Sequence, residues 1–234
     1  MKLSTYWRSS SAWRVRIGLA YKGIEHELVF VHLLREGGEQ LRPEFAETNP
    51  MAQVPVLEVE RPGGVFRLTQ SLAILEYLEE LQPDPPLFPK TPELRARARE
   101  LAEIVNSGIQ PFQNLRFTRE LTAAGIDWLP ITRGYIATGL AALERHAAAC
   151  AGRFLVGDAV SIADLCVVPQ LYTARRFGVP VEAYPTLLRV EKACDELPAF
   201  QAAHPTAQPD FDPTRLLPGD GQPADTEPIS TRLV

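Results

Sequence analysis

The chain is poor in cysteine, methionine and histidine: its 234 residues hold three Cys, two Met and four His. Cys150, Cys166 and Cys194 are odd in number and fall into neither Cys-x-x-Cys nor metal-ligand spacing. That removes a disulfide framework, a zinc site and a dithiol redox centre from consideration. They read as the reduced thiols of a cytoplasmic protein, with Cys166, in an apolar run, a small core residue. The histidines show no ligand spacing, so no metal is expected. No apolar stretch is long enough to span a membrane, and none opens the chain as a secretion signal. Basic charge is short too. With 24 Lys and Arg against 29 Asp and Glu the net charge is -5, which gives no hint of a nucleic-acid partner. There is no internal repeat. What remains is a globular chain, 45% hydrophobic, with enough length for one large or two small domains.

The elements read in a definite order. Lys2 to Tyr6 is a strand, and Trp13 to Lys22 is a helix ended by Gly23 as its C-cap. His26 to Val31 is rich in β-formers. Pro55 to Glu60 and Val65 to Thr69 flank Arg61-Pro62-Gly63-Gly64, a hairpin signal. Ser71 to Leu81 has Leu72, Leu75 and Leu78 at helical spacing. Strand, helix, strand, strand, strand, helix, with an irregular stretch near 41–50, suits a thioredoxin-like α/β domain over 1–82. Gln82 to Pro92 contains five prolines and reads as a linker, assigned to 83–92. After it the pattern is all-α over 93–210: helices near 92–121, 130–150, 161–176 and 184–196, and a short one near 198–204. Ser161-Ile162-Ala163-Asp164 is a capping box and reads as structural. Residues 211–234, rich in Pro, Gly, Asp and Thr, read as a flexible tail.

Chemistry concentrates at the first strand–helix junction. Trp7-Arg8-Ser9-Ser10-Ser11-Ala12-Trp13-Arg14-Val15-Arg16 puts three hydroxyls at a helix N-terminus. Unpaired N–H groups and the positive end of the helix dipole meet there, an environment that holds anions and lowers a thiol pKa. In a thioredoxin-like unit a redox Cys pair would occupy this place; Ser9-Ser10-Ser11-Ala12 excludes disulfide exchange by the protein itself. A thiolate held there comes from a bound ligand. On residue chemistry alone the serines also read as a plain N-cap.

This run resembles the Arg-Ser-Ser-Cys-Ser-Trp-Arg-Val-Arg signature of zeta-class glutathione transferases, a family that includes the maleylacetoacetate isomerases. Ser11 stands at the family's Cys position and Ala12 at the next Ser position. The resemblance extends almost to residue 210 and implies the glutathione transferase fold, a cytoplasmic homodimer and glutathione as cofactor. It implies that Ser9 donates to the glutathione sulfur, with Ser10 and Ser11 in support. Asn49-Pro50-Met51-Ala52-Gln53-Val54-Pro55 matches the family's Asn-Pro-x-x-x-Val-Pro, where the proline is cis and the preceding residue, here Val54, offers its backbone to the cysteinyl part of glutathione. Gln70 and Ser71 take the γ-glutamyl carboxylate at a helix start; as residues alone, Ser71 is an ordinary cap. Gln40 is assigned to the glycyl end. Gln110-Pro111-Phe112-Gln113-Asn114 resembles a run that faces the thiol, with Gln110 and Asn114 expected on one helical face. Gln-Pro inside a helix breaks a local rule, which hints at function, although packing kinks occur too.

Arg8, Arg176 in Ala174-Arg175-Arg176-Phe177, and Arg116 are the substrate-binding candidates. Taken singly, an Arg is usually a solvated surface residue. Guanidinium groups pair bidentately with carboxylates and so suit a small-molecule diacid. The resemblance implies glutathione-dependent cis–trans isomerisation of a maleyl diacid, first maleylacetoacetate to fumarylacetoacetate in tyrosine breakdown. Maleylpyruvate isomerisation is a close alternative, and conjugation of α-haloacids or other electrophiles is a second. A non-enzymatic module of the same fold is disfavoured by the retained hydroxyls.

Overall fold

The computed structural model describes residues 1–215. The chain divides into two compact units, Met1–Leu87 together with Asp195–Phe211, and Phe88–Cys194. Among the described residues the first unit contains β1 (Lys2–Thr5), α1 (Ser10–Tyr21), β2 (Glu27–Phe30), α2 (Pro43–Thr48), β3 (Val56–Arg61), β4 (Gly64–Thr69) and α3 (Ser71–Leu81). The second contains α4 (Pro92–Glu103), α5 (Leu115–Ala123), α6 (Trp128–Ala147), α7 (Ile162–Arg176) and α8, which runs Pro185–Asp195. The chain then returns to the first unit with α9 (Pro198–Ala203).

The first unit is a thioredoxin-like domain built on a four-stranded mixed sheet of order β2-β1-β3-β4. β1 runs parallel to β2 and antiparallel to β3. A parallel pair needs a crossover, and α1 supplies it. β3 and β4 form the expected hairpin, turning at Gly63 and Gly64, whose φ of 99° and 135° only glycine adopts without strain. Leu3 pairs with Leu28 on one side and Leu57 on the other. It is fully buried with Val15 and Leu19 of α1, Leu57, and Ile74 and Leu78 of α3. α1 and α3 thus bury their apolar faces with this sheet, and burial of such residues is worth roughly 1.5–3 kcal/mol each.

The second unit is helical. The expected continuous helix over 92–121 is interrupted. After α4 come a π turn at Ile104–Ile109 and a 3-10 turn at Gln110–Gln113, and only then α5. Pro111 has no N–H to continue an α-helix, so the chain is re-wound around it. Ile109 packs so closely on Gly139 of α6 that a Cβ there would collide with it. The capping box forms as expected: Ser161 N–H and Oγ–H donate to Asp164 Oδ2 at 2.8 and 2.9 Å.

Two parts of the expected domain map change, and the linker is tied down at its start. Asp195–Phe211, expected in the helical domain, belongs to the first unit, because Phe200 and Ala203 are buried where α9 packs on α1. The proline-rich segment, read as a linker, is anchored. Lys22 Nζ donates to Gln82 O and Pro85 O at 2.7 and 2.9 Å, and Leu87 is fully buried. Of the expected tail 211–234, Phe211 packs edge-on against Trp7 at 5.1 Å between ring centroids, and residues 216–234 lie outside the described residues.

Candidate active site

The serine run begins α1. Ser9 is its N-cap, and its Oγ accepts the Ala12 N–H at 3.2 Å. Capping uses a lone pair of the hydroxyl and leaves its proton to donate elsewhere. Ser10 and Ser11 open the helix, and all three serines are half-buried. The Ser9 N–H closes a turn onto Tyr6 O at 2.9 Å. Arg8, also half-buried, holds its guanidinium over the Trp7 ring, 5.3 Å from the centroid.

α1 also carries two buried arginines. Burial of a guanidinium costs heavily unless its donors are met. Arg14 Nη1 donates to the Ser71 hydroxyl at 3.2 Å, joining α1 to the first residue of α3. All three nitrogens of Arg16 donate: Nε to Ala203 O, Nη1 to Thr5 Oγ1 and Tyr6 O, Nη2 to Trp7 O and Ala203 O. Burial draws the Arg16 pKa down, and the Asp210 charge opposes this. Neither residue stood out in the sequence. Arg is usually a surface residue, and the available signs were their match to the Trp-Arg-Val-Arg end of the family signature and their place in the otherwise apolar run Trp13–Leu19.

The remaining candidates of the first unit are backbone-rich. The Val54–Pro55 bond is cis, as the resemblance implied. Val54 is buried with Tyr6, Trp7, Ala12 and Val31, and it precedes β3, so its peptide groups lie outside the strand ladder. Gln70 is exposed at φ 69°, and its side chain does not cap α3. The start of α3 therefore keeps its helix-dipole character for an anion. Gln40, assigned to the glycyl end, is buried in a 3-10 turn, Glu39–Leu41. Its Nε2 donates to Leu33 O at 3.4 Å, and its Oε1 has no partner among the described residues. Gly38 is essential to that arrangement: at φ 122° it has no room for a Cβ, which would lie 2.6 Å from Gln40 Nε2.

In the second unit the geometry corrects one expectation. Gln110 and Asn114 do not share a helical face, because Gln110 opens the 3-10 turn and Asn114 is extended at φ -70°, ψ 144°. Asn114 is the N-cap of α5 and accepts the Arg116 N–H at 2.9 Å. Arg116 is exposed and paired with Glu120 at 2.9 Å, a surface ion pair. Gln113 instead forms a reciprocal amide pair with the buried Gln170 at 2.9 and 3.2 Å. Arg176 ends α7 half-buried, with its guanidinium 4.9 Å from the Phe177 ring centroid, while its neighbour Arg175 is bidentate to Glu191 at 2.6 and 2.5 Å.

A serine N-cap where a redox cysteine would stand, beside a cis proline, suits binding of a thiol peptide. Residues 8–81 match the family model described as "Glutathione S-transferase, N-terminal domain". The chain is 45% identical to the maleylacetoacetate isomerase of Rattus norvegicus over 208 residues, 89% of this chain and 94% of that one. This chain belongs to the maleylacetoacetate isomerase family of glutathione transferases. The family fold is shared with the maleylacetoacetate isomerase of Anaeromyxobacter dehalogenans, solved with dicarboxyethyl glutathione and citrate in its active site. That protein is 52% identical with a TM-score of 0.82, and the match covers 91% of this chain and 94% of that one. The holo structure of a bacterial zeta-class maleylpyruvate isomerase is 40% identical with a TM-score of 0.84, covering 91% and 100%. Among the described residues no helix is long and apolar enough to cross a membrane.

Proposed function

We propose that the protein is a glutathione-dependent cis–trans isomerase of maleyl diacids, converting maleylacetoacetate to fumarylacetoacetate. The observation that carries the proposal is the half-buried hydroxyl of Ser9, fixed as the N-cap of α1 with its proton left to donate. Three features fit glutathione. Val54 presents peptide groups outside the ladder, the start of α3 suits a carboxylate, and Gln40 Oε1 is a buried acceptor without a partner among the described residues. Glutathione, when bound, supplies the thiolate whose reversible addition to the substrate double bond leaves a single bond that rotates.

The chain's own residues do the rest. Ser9 donates to the sulfur and, with the positive end of α1, favours the ionised thiol. Ser10 and Ser11 keep that helix start polar. Arg8 and Arg176 are assigned to the substrate carboxylates, Arg8 from its place beside Ser9 and Arg176 from its match to the family's Ala-x-Arg-Phe stretch. Arg116 is withdrawn to a weaker role by its pairing with Glu120. Reduced thiols support a cytoplasmic protein: among the described residues Cys150, Cys166 and Cys194 form no disulfide.

Maleylpyruvate is the second reading, favoured by the 40% identity to the zeta-class maleylpyruvate isomerase. Purified protein given maleylacetone or maleylpyruvate decides between them. Isomerisation that requires catalytic glutathione and leaves it unconsumed is expected. Glutathione consumed in proportion to product, or no turnover of either diacid, overturns the proposal in favour of a conjugating transferase.

A further inference from the structure

The loop that carries Ser9 is held by a segment nearly the whole chain away. The Trp7 N–H donates to Asp210 Oδ2 at 2.9 Å, a bond between residues 203 apart. The Trp7 ring is fully buried and meets the Phe211 ring edge-on. Arg16 holds the other side of the same peptides, donating to Tyr6 O at 3.2 Å and Trp7 O at 2.9 Å. It also reaches back to Ala203 O at 3.3 and 3.2 Å. Tyr6 O in turn accepts the Ser9 N–H. Among the described residues, Arg16, Asp210 and the loop's own backbone thus all hold the peptides that lead to Ser9.

We infer that Asp210 is a positioning residue for the catalytic serine, acting through the Trp7 peptide, and that residues 198–211 are a strap that sets the thiol-binding loop. Two observations carry it. Asp210 is half-buried, at an energetic cost, and its one hydrogen bond to another residue among those described goes to the loop. The segment also packs on α1 through Phe200 and Ala203, so it is anchored independently of that bond. A hydrogen bond from a peptide N–H to a carboxylate is charge-assisted and directional. It fixes the Trp7 peptide, and with it the Tyr6 carbonyl to which Ser9 bonds. Small displacements of a catalytic donor are costly, because reacting groups must stay within a few tenths of an ångström.

The inference rests on the reading of Ser9 as the thiol donor, and the experiment separates the two. Compare wild type, Ser9→Ala, Asp210→Ala and Asp210→Asn for the pKa of bound glutathione by thiolate absorbance, and for kcat and KM on a maleyl diacid. Asp210→Ala is expected to raise the thiol pKa and lower kcat by roughly tenfold to a hundredfold with KM for glutathione little changed. Asp210→Asn keeps an oxygen acceptor for the Trp7 N–H and is expected to restore both. If Ser9→Ala shifts the thiol pKa and folded Asp210→Ala does not, the strap inference fails alone. If neither does, the reading of Ser9 fails with it. Should Asp210→Ala not fold, Asp210→Asn decides: a folded Asn variant with the thiol pKa raised overturns the inference, and one with wild-type pKa and kcat supports it.

Discussion

Lys22 Nζ lies 2.7 Å from Glu79 Oε2, and the lysine side chain is fully buried. Around this pair α1, α3 and the proline-rich segment are tied together. Glu79 Oε2 also accepts the Leu87 N–H at 2.9 Å, and Nζ donates to Gln82 O and Pro85 O. Every donor on the ammonium is met, which is the condition for a buried charge to be tolerated. Glu79→Ala leaves that ammonium buried beside neutral carbonyls. Denaturant unfolding is expected to show a loss of about 3–5 kcal/mol. A loss below about 1 kcal/mol, the size of an exposed pair, would show that water replaces the carboxylate.

At Ser9 capping and catalysis separate by substitution. Ser9→Asp keeps a capping oxygen for the Ala12 N–H but puts a negative charge against the sulfur. Stability is expected to stay within about 0.5 kcal/mol of wild type. Turnover is expected to fall by a hundredfold or more, on the order of a lost oxyanion-type donor. Ser9→Ala costs about 1 kcal/mol of stability as well as roughly tenfold to a hundredfold in rate. Thermal melts beside steady-state kinetics check both. Full activity in Ser9→Asp would remove Ser9 from the thiol.

For Arg8 and Arg176 the discriminating quantity is substrate charge. Arg→Met keeps much of the stem and deletes the charge. Each variant is expected to lose roughly tenfold to a hundredfold in kcat/KM on maleylacetone, the size of one charge-assisted pair. The rate on chlorodinitrobenzene, a neutral electrophile, is expected to hold. Equal losses on both would mean that these residues do not clamp carboxylates. Arg116→Met is expected to change neither by more than about twofold, since its partner is the exposed Glu120.

The capping-box carboxylate gives a pH signature. Burial pushes Asp164 up to about 6 against hydrogen bonds from Leu155 N–H and from Ser161 N–H and Oγ–H. Its folded pKa stands above the unfolded value of 3.8, so its stabilisation is full below about pH 4 and declines as pH rises through 6. The stability advantage of wild type over Asp164→Asn is therefore expected to shrink by roughly 2 kcal/mol between pH 4 and 7. An advantage that grows over that range would mean that the hydrogen bonds outweigh burial.

Assembly is the remaining proposal. A homodimer follows from the family likeness, and closed two-fold pairing is the commonest oligomer arrangement. Sedimentation velocity at micromolar concentration is expected to give about twice the 26.0 kDa chain mass. A 26.0 kDa species would refute it.

Local chemistry decided much of this protein from the sequence alone. The helix over Ser71–Leu81, the β3–β4 hairpin, the capping box at Ser161 and the serine start of α1 each depend on residues a few positions apart. Propensity, glycine freedom and capping act at that range, so these elements were legible, and the family motifs carried the cofactor and reaction class with them. Interactions between distant residues were not. The break in the helix expected over 92–121 is the exception, a local one that the Gln110-Pro111 pair signalled: Pro111 withholds one N–H and the chain re-winds to satisfy the rest. Burial of Arg14 and Arg16 depended on Ser71, Ala203 and Asp210 arriving from elsewhere. The return of 195–211 to the first unit places Asp210 on the Trp7 peptide. Only the tertiary structure decides such pairings, because the energy of a buried polar group is set by whichever partner the fold brings to it, and spacing along the chain does not record that.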